Sequence, residues 1–170
     1  MNRLLKFVLL ASLALGCAAC SYRLAGTPQP LPFKTIAVAQ VENGSYAPQA
    51  SNPLTTQLAL RLSQSPGLEL VGPGEADAVL EVTLDDYTKR MYASREDDTA
   101  LASAITVTLR AKCTLRDRAS GRVLFENVPV EVSSHIYDKN GGFINAEYQN
   151  MTTLTGELAK RIADQVLGIW

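Results

Sequence analysis

Residues 105–116, ITVTLRAKCTLR, decide the fold. Ile105, Val107, Leu109, Ala111, Cys113 and Leu115 alternate with Thr106, Thr108, Arg110, Lys112, Thr114 and Arg116. A period of two places successive side chains on opposite faces of a strand, one buried and one wet. The pattern ends at Asp117–Gly121 (DRASG), a hairpin turn in which Gly121 suits a positive φ. Arg122–Ile136 returns as the last strand, with Val128, Val130 and Val132 on one face. Pro129 removes a ladder donor, which predicts an edge strand or a bulge there. Upstream, Ala78, Leu80, Val82 and Leu84 alternate with Val79, Glu81, Thr83 and Asp85, a strand that extends toward Tyr92.

The remaining segments supply two helices and one more strand. Lys34–Val41 (KTIAVAQV) reads as the first strand, and Glu42–Gln49 as a loop turning at Asn43-Gly44. Asn52-Pro53 opens a helix, Asn as N-cap and Pro at the first helical position. Leu54, Leu58 and Leu62, with Ala59 and Leu60 beside them, form its apolar face, and Ser65-Pro66-Gly67 stops it. Leu68–Val71 is a short apolar segment that leaves an extra strand open, before a turn at Pro73-Gly74. After a polar loop at Asp138–Gly142, Asn145–Ile169 is amphipathic: Met151, Leu154, Leu158, Ile162 and Val166 recur at helical spacing. The order β-α-β-β-β-α predicts an α+β two-layer sandwich, a four-stranded mostly antiparallel sheet covered on one face by two helices.

The N-terminus places this domain. Met1–Leu24, MNRLLKFVLLASLALGCAACSYRL, has a basic start (Arg3, Lys6), an apolar run from Phe7 to Leu15, and small residues ending at cysteine. A membrane span needs about 20 apolar residues, and this run is roughly half that, so it reads as a secretory signal peptide. The terminal cysteine converts the reading to a bacterial lipoprotein, anchored by acyl chains at about 0.8 kcal/mol per buried CH₂. Two cysteines are candidates for lipidation, Cys17 after Gly16 and Cys20 after Ala18-Ala19. Ser21 after Cys20, rather than Asp, fits export to the outer membrane. The expected organisation is a signal peptide over 1–19, a lipidated Cys and Pro-rich tether over 20–33 (Pro28, Pro30, Pro32), and one domain over 34–170.

Composition narrows the function. Cleavage before Cys20 removes Arg3 and Lys6 and no acidic residue, leaving 14 basic against 17 acidic side chains, a net charge of −3. That balance excludes nucleic-acid binding by bulk charge. Cys113 is the only cysteine beyond the processing region, so no intrachain disulfide supports the domain, and its place in an alternating run marks a buried small hydrophobe. The catalytic inventory is thin. His135 is the single histidine, no zinc spacing, P-loop, GxSxG or GxGxxG occurs, and no cofactor is implied. Asp85-Asp86 and Glu96-Asp97-Asp98 lack calcium-loop spacing and read as solvated turn and strand-end residues. Arg110, Lys112 and Arg116 share a strand face, with Lys89, Arg90 and Arg95 before them and Arg118 and Arg122 at the turn. Two readings stand: a solvated face balanced by Glu126 and Glu131, or an anion-recognition face for phosphates such as those of lipopolysaccharide.

The sequence resembles the LptE family of lipopolysaccharide-assembly outer-membrane lipoproteins. Cys20-Ser21-Tyr22-Arg23-Leu24-Ala25-Gly26 is similar to the family's Cys-Gly-Tyr-x-Leu start, departing at Ser21, and this resemblance makes Cys20 the preferred lipidation site over Cys17. The resemblance continues through Lys34–Val38 with Glu42-Asn43, Glu75–Glu81, the Arg116–Arg122 hairpin and Ala159–Ile162. It implies a non-enzymatic protein that plugs the large LptD-type barrel and receives lipopolysaccharide. It also implies lipopolysaccharide contact through basic residues near strand ends, matched here by Arg95 and, more loosely, Lys139. The rivals are an auxiliary lipoprotein of a phospholipid/ABC-type envelope transport system and a scaffold that binds neither lipid nor barrel. Lipidation has a direct check: metabolic labelling with an acyl-chain analogue should mark the wild-type protein and the Cys17→Ala variant but not Cys20→Ala. Retained label on Cys20→Ala would move the anchor to Cys17.

Overall fold

The computed structural model describes residues 31–94, 102–137 and 143–168. In chain order they form β1 (Thr35–Val38), β2 (Glu42–Asn43), a 3-10 turn (Pro48–Ala50), α1 (Ser51–Ser63), β3 (Glu69–Leu70), β4 (Ala78–Ser94), β5 (Ala102–Asp117), β6 (Val123–Tyr137) and α2 (Phe143–Leu167). The sheet runs β3-β1-β4-β5-β6, with β2 also paired to β4. The two-layer α+β architecture with two helices is as expected. The sheet differs: it has six strands, not four, and it is mixed. β1 is parallel to both β3 and β4, and β2 is parallel to β4. The two additional strands have two residues each, too short to show a period. Their parallel direction follows from connectivity, since α1 carries the chain back over the sheet between β1 and β3.

The antiparallel meander β4-β5-β6 carries the alternation. Val107, Leu109, Ala111, Cys113 and Leu115 are buried, as are Ala78, Leu80, Val82 and Leu84 opposite them. In β4 the alternation does not continue unbroken toward Tyr92. Leu84 pairs with Ala111 and Asp86 with Arg110, so Asp85 is an extra residue, a β-bulge. Beyond it the inward parity switches from even to odd numbers, and Tyr87, paired with Leu109, is buried. The register shifts again between Met91 and Ala93 and between Ala93 and Ser94, and a bulge in β6 between the partners of Cys113 and Leu115 contains Asn127 at φ 52°. β6 is the edge strand that Pro129 predicts, and the bulge lies two residues before it. Gly121 adopts φ 67° in the β5–β6 turn, the left-handed conformation a Cβ would disfavour.

Helix α1 buries Leu54, Leu58 and Leu62, but Leu60 is 49% exposed and lies off the apolar face. The helix begins at Ser51, one residue before Asn52, with Ala50 at the cap position and no side-chain cap bond. The 3-10 turn feeds it directly, and the Thr55 hydroxyl donates to the Ser51 carbonyl while accepting the Val41 N–H. Helix α2 buries Met151, Leu154, Leu158, Ile162 and Val166 as the spacing predicts, with Ala159, Ala163 and Thr155 between them. α1 lies over β1 and β3, α2 over β5 and β6, and the helices pack against each other in one continuous apolar core. At the edge, Arg161 Nη1 of α2 donates to the Glu131 carbonyl of β6 at 2.8 Å.

Asp77 joins three segments. Its carboxylate accepts the backbone N–H groups of Lys34 and Thr35, both at 3.0 Å, and its own N–H donates to Thr35 Oγ1 at 2.8 Å. Its carbonyl accepts the Arg118 N–H at 2.8 Å, and Arg118 Nε donates to the Ala76 carbonyl. The two backbone bonds hold the Asp77 carboxyl below the usual carboxylate range. A depressed folded-state pKa contributes stability above the unfolded value of about 3.9, lost as pH falls through the folded value. Acid titration of unfolding midpoints should therefore show the wild type ahead of Asp77→Asn at pH 6, with the gap closing below about pH 4. An unchanged gap would detach Asp77 from the acid response. In the core, Leu109→Ala should lower stability by about 2–5 kcal/mol in denaturant unfolding, with the m-value preserved.

Candidate functional site

The sheet face opposite the helices carries the basic row that the sequence marks out. β5 projects Arg110, Lys112 and Arg116 onto it, and each meets a carboxylate on a neighbouring strand. Arg110 reaches Glu131 at 2.6 Å, Lys112 reaches Asp85 at 2.8 Å, and Arg116 reaches Glu81 at 3.1 Å and Glu126 at 3.8 Å. Hydrogen bonding to Glu131 raises the Arg110 pKa further above its ordinary value. Of the two readings of this row, the balanced face is the one the geometry supports. Its cations already have partners, so the row offers little uncompensated charge to a free anion. Exposed pairs of this type contribute about 0–1 kcal/mol at most. They fix cross-strand register and keep the face hydrated more than they add stability. A shallow groove over this face is lined by Glu81, Thr83, Lys112, Arg116, Glu126 and Asn127.

Other basic residues separate from that row. Lys89 falls on the helix side of the sheet, because the Asp85 bulge reverses the parity of β4. There Lys89 Nζ pairs with Glu147 Oε2 of α2 at 2.7 Å, and the Tyr87 hydroxyl donates to Glu147 Oε1 at 2.6 Å. Burial works against the Glu147 carboxylate, but the Lys89 and Tyr87 bonds together outweigh it and lower its pKa. Burial, with the Glu147 charge beside it, drives the Tyr87 hydroxyl well above its usual range. Arg118 serves the Asp77 junction. Cys113 is buried, its thiol donating a weak bond to the Val128 carbonyl at 3.4 Å, and burial pushes its pKa up to about 11. That makes it inert as a nucleophile at neutral pH.

Arg95 and Lys139, the two candidate lipopolysaccharide contacts, lie outside the described residues, as do Cys17, Cys20 and the Glu96–Asp98 acidic run. The residues flanking the two segments are described, and they converge. Ser94, the end of β4, pairs with Ala102, the start of β5, and Tyr137, the end of β6, pairs with Ala104. The chain connections that carry Arg95 and Lys139 therefore depart from one end of the sheet.

That same end holds a feature that periodicity does not reveal. On the open face, the Tyr92 ring lies 4.4 Å from the His135 imidazole and 6.4 Å from the Tyr137 ring, edge-on at 90°. His135 Nδ1 is 3.0 Å from the Thr106 hydroxyl across the strand pair. The sequence signal was present in the chain ends of β4 and β6, but only the register makes Tyr92, His135 and Tyr137 neighbours. Met91, Ile144 and Tyr148 are also largely exposed, Met91 at the end of β4 and the other two in the first turns of α2. Among the described residues no cluster of His, Cys, Asp and Glu could hold a metal, and no helix is long and apolar enough to cross a membrane.

Residues 33–167 match the profile of the lipopolysaccharide-assembly family LptE. No curated protein matches the sequence. Among solved structures, an uncharacterized lipoprotein B from Nitrosomonas europaea superposes with a TM-score of 0.59 at 16% identity, over 86% of this chain and 90% of that one. A hypothetical protein from Chlamydia trachomatis gives 0.58 at 10% identity, over 79% and 96%. A minor lipoprotein from Acinetobacter baumannii gives 0.56 at 18% identity, over 81% and 95%. At these identities the likeness is one of fold.

The Tyr87–Glu147–Lys89 cluster yields a stability test. Glu147→Ala leaves the buried Tyr87 hydroxyl without its acceptor and should cost about 1–3 kcal/mol in denaturant unfolding. Tyr87→Phe in that background should recover part of the loss, which an independent effect of Glu147 would not allow.

Proposed function

The chain belongs to the LptE family of lipopolysaccharide-assembly lipoproteins, which are not enzymes, and from that premise we propose that it works at the outer membrane as the partner of an LptD-type β-barrel. The observation that carries the reading is the family match itself, which takes in every described strand and both helices. In this reading residues 1–19 are removed on export, acyl chains on Cys20 anchor the protein, and residues 20–33 tether the domain over 34–170. The domain then sits inside the barrel and helps pass lipopolysaccharide to the outer leaflet. A plug needs a rigid body with a polar outer surface. The single core and the ion-paired, charge-balanced sheet face supply both.

Arg95 and Lys139 are the proposed contacts for lipopolysaccharide phosphates. Two features support them. Their segments leave the same end of the sheet, and the other prominent basic residues, Arg110, Lys112 and Arg116, are already engaged by carboxylates. Cations at these two positions could compete with divalent ions for those phosphates and loosen lipopolysaccharide aggregates.

Two measurements check this. Affinity purification of the tagged, full-length lipoprotein from native outer membranes should recover an LptD-type barrel in stoichiometric amount. Recovery of an inner-membrane transporter instead, from membranes with LptD intact, would favour the auxiliary-transport alternative. In lipopolysaccharide binding, Arg95→Glu with Lys139→Glu should weaken affinity at least about tenfold, the loss of roughly one charge-assisted contact. Arg110→Ala should leave affinity nearly unchanged. A reversed order would move the contact to the sheet face.

A further inference from the structure

The open sheet face changes character along its length. Toward the β5–β6 turn it is a row of ion pairs. Toward the other end, between β5 and β6, it becomes a ladder of neutral hydrogen-bonding pairs, Thr108 with Ser133 at 3.1 Å, then Thr106 with His135 at 3.0 Å, with Thr88 and Arg90 of β4 alongside. The ladder ends in the Tyr92–His135–Tyr137 rings, contributed by two strands that are not neighbours in the sheet. Between them, β5 places only the small side chain of Ala104 opposite Tyr137. Tyr92 is 58% exposed and Tyr137 66% exposed. The rings are thus held against one another, yet each leaves most of its surface to solvent.

The chemistry of this end selects among ligands. A phosphate is held best by several converging cations; Arg110 is engaged by Glu131 through both Nε and Nη2, which leaves Arg90, opposite Thr106, as the cation beside the ladder among the described residues. An acyl chain would cover the rings but take the exposed hydroxyls and imidazole beside them out of water, leaving each only its cross-strand bond. A sugar ring satisfies both. One face is a patch of C–H groups that packs on the electron-rich face of a Tyr ring, and its hydroxyls are donors and acceptors at once, matching Thr, Ser and His. Aromatic surface combined with a few placed polar groups, here including Arg90, is the usual composition of a specific small-ligand site. We infer that the Tyr92–His135–Tyr137 end of the open sheet face is a saccharide-binding subsite, taking a neutral hexose or heptose ring.

The inference deepens the lipopolysaccharide reading, on which it rests only for the source of the sugar. It divides the work between two chemistries, phosphate at Arg95 and Lys139, sugar at the rings. The test is calorimetric titration of the full-length lipoprotein, in a detergent without a sugar headgroup, with a dephosphorylated, lipid-free hexose–heptose oligosaccharide. Saturable binding is expected. The pair Tyr92→Ala and Tyr137→Ala should weaken it at least about tenfold, in line with two lost aromatic contacts, while Tyr92→Phe with Tyr137→Phe should stay close to wild type. Both residues are exposed, and circular dichroism will verify that the variants are folded. Absence of binding by the wild type, or equal binding by the alanine pair, overturns the subsite. Intact lipopolysaccharide provides the second arm. If it binds while the oligosaccharide does not, the subsite falls and the lipopolysaccharide reading stands. If the oligosaccharide alone binds, the subsite stands and that reading falls.

Discussion

Strand β5 has a hydrogen-bonded neighbour along both edges and one face that must be kept from water, and the rest of the molecule is arranged to meet those demands. Its paired neighbours β4 and β6 supply the ladders, and α2 supplies cover for the inward residues from Val107 to Leu115. α1 and the short parallel strands extend the same cover toward β1. Because the period is two, a one-residue slip would exchange the whole inward set for Thr106, Arg110 and Lys112. The ion pairs on the opposite face agree with the register, since Arg110, Lys112 and Arg116 each find a carboxylate in it. Burial and charge pairing therefore specify the same structure, which is the kind of agreement between levels that makes a sequence foldable.

The Asp85 bulge shows how one residue redistributes function. Before it, β4 and β5 agree in a simple alternation. After it, Tyr87 and Lys89 face α2 and pin its first half through Glu147, while the open face receives Thr88 and Arg90. The bulge also brings Asp85 to Lys112. The outcome is a sheet whose two ends have different surfaces, one built from compensated charges and one from aromatic rings and hydroxyls.

How much of this was legible depended on the length of the pattern. The runs 78–84 and 105–116, and the Met151–Val166 spacing, extend over several periods, so their faces could be read directly. Cys113 followed from its place in such a run. β2 and β3, with two residues each, have no period to read, and their parallel pairing depends on connectivity rather than composition. The start of α1 was displaced because a 3-10 turn, not the Asn52 side chain, leads into it. Leu60 is apolar in sequence but sits two residues from Leu58 and Leu62, off their helical face. Nothing in the local sequence announces a bulge at Asp85, so Lys89 reads as part of the basic face although it lies on the helix side. The ring cluster was invisible for a different reason: Tyr92 and His135 are distant in the chain, and only the final register makes them touch.

The pairing of β1 has a consequence for the order in which the fold can assemble. β1 and β2 have their long partner in β4, with Ile36 set against Ala78 and Glu42 against Thr83, so the loops that must close are some 40 residues long. The β4-β5-β6 meander and α2, by contrast, join chain neighbours through short connections. Local contacts close at lower entropic cost than distant ones. A chain that emerges N-terminus first thus presents its earliest strands before their partner exists, and these strands must wait as an open segment. On this ground β1 and β2 join last, after the C-terminal meander has provided the template.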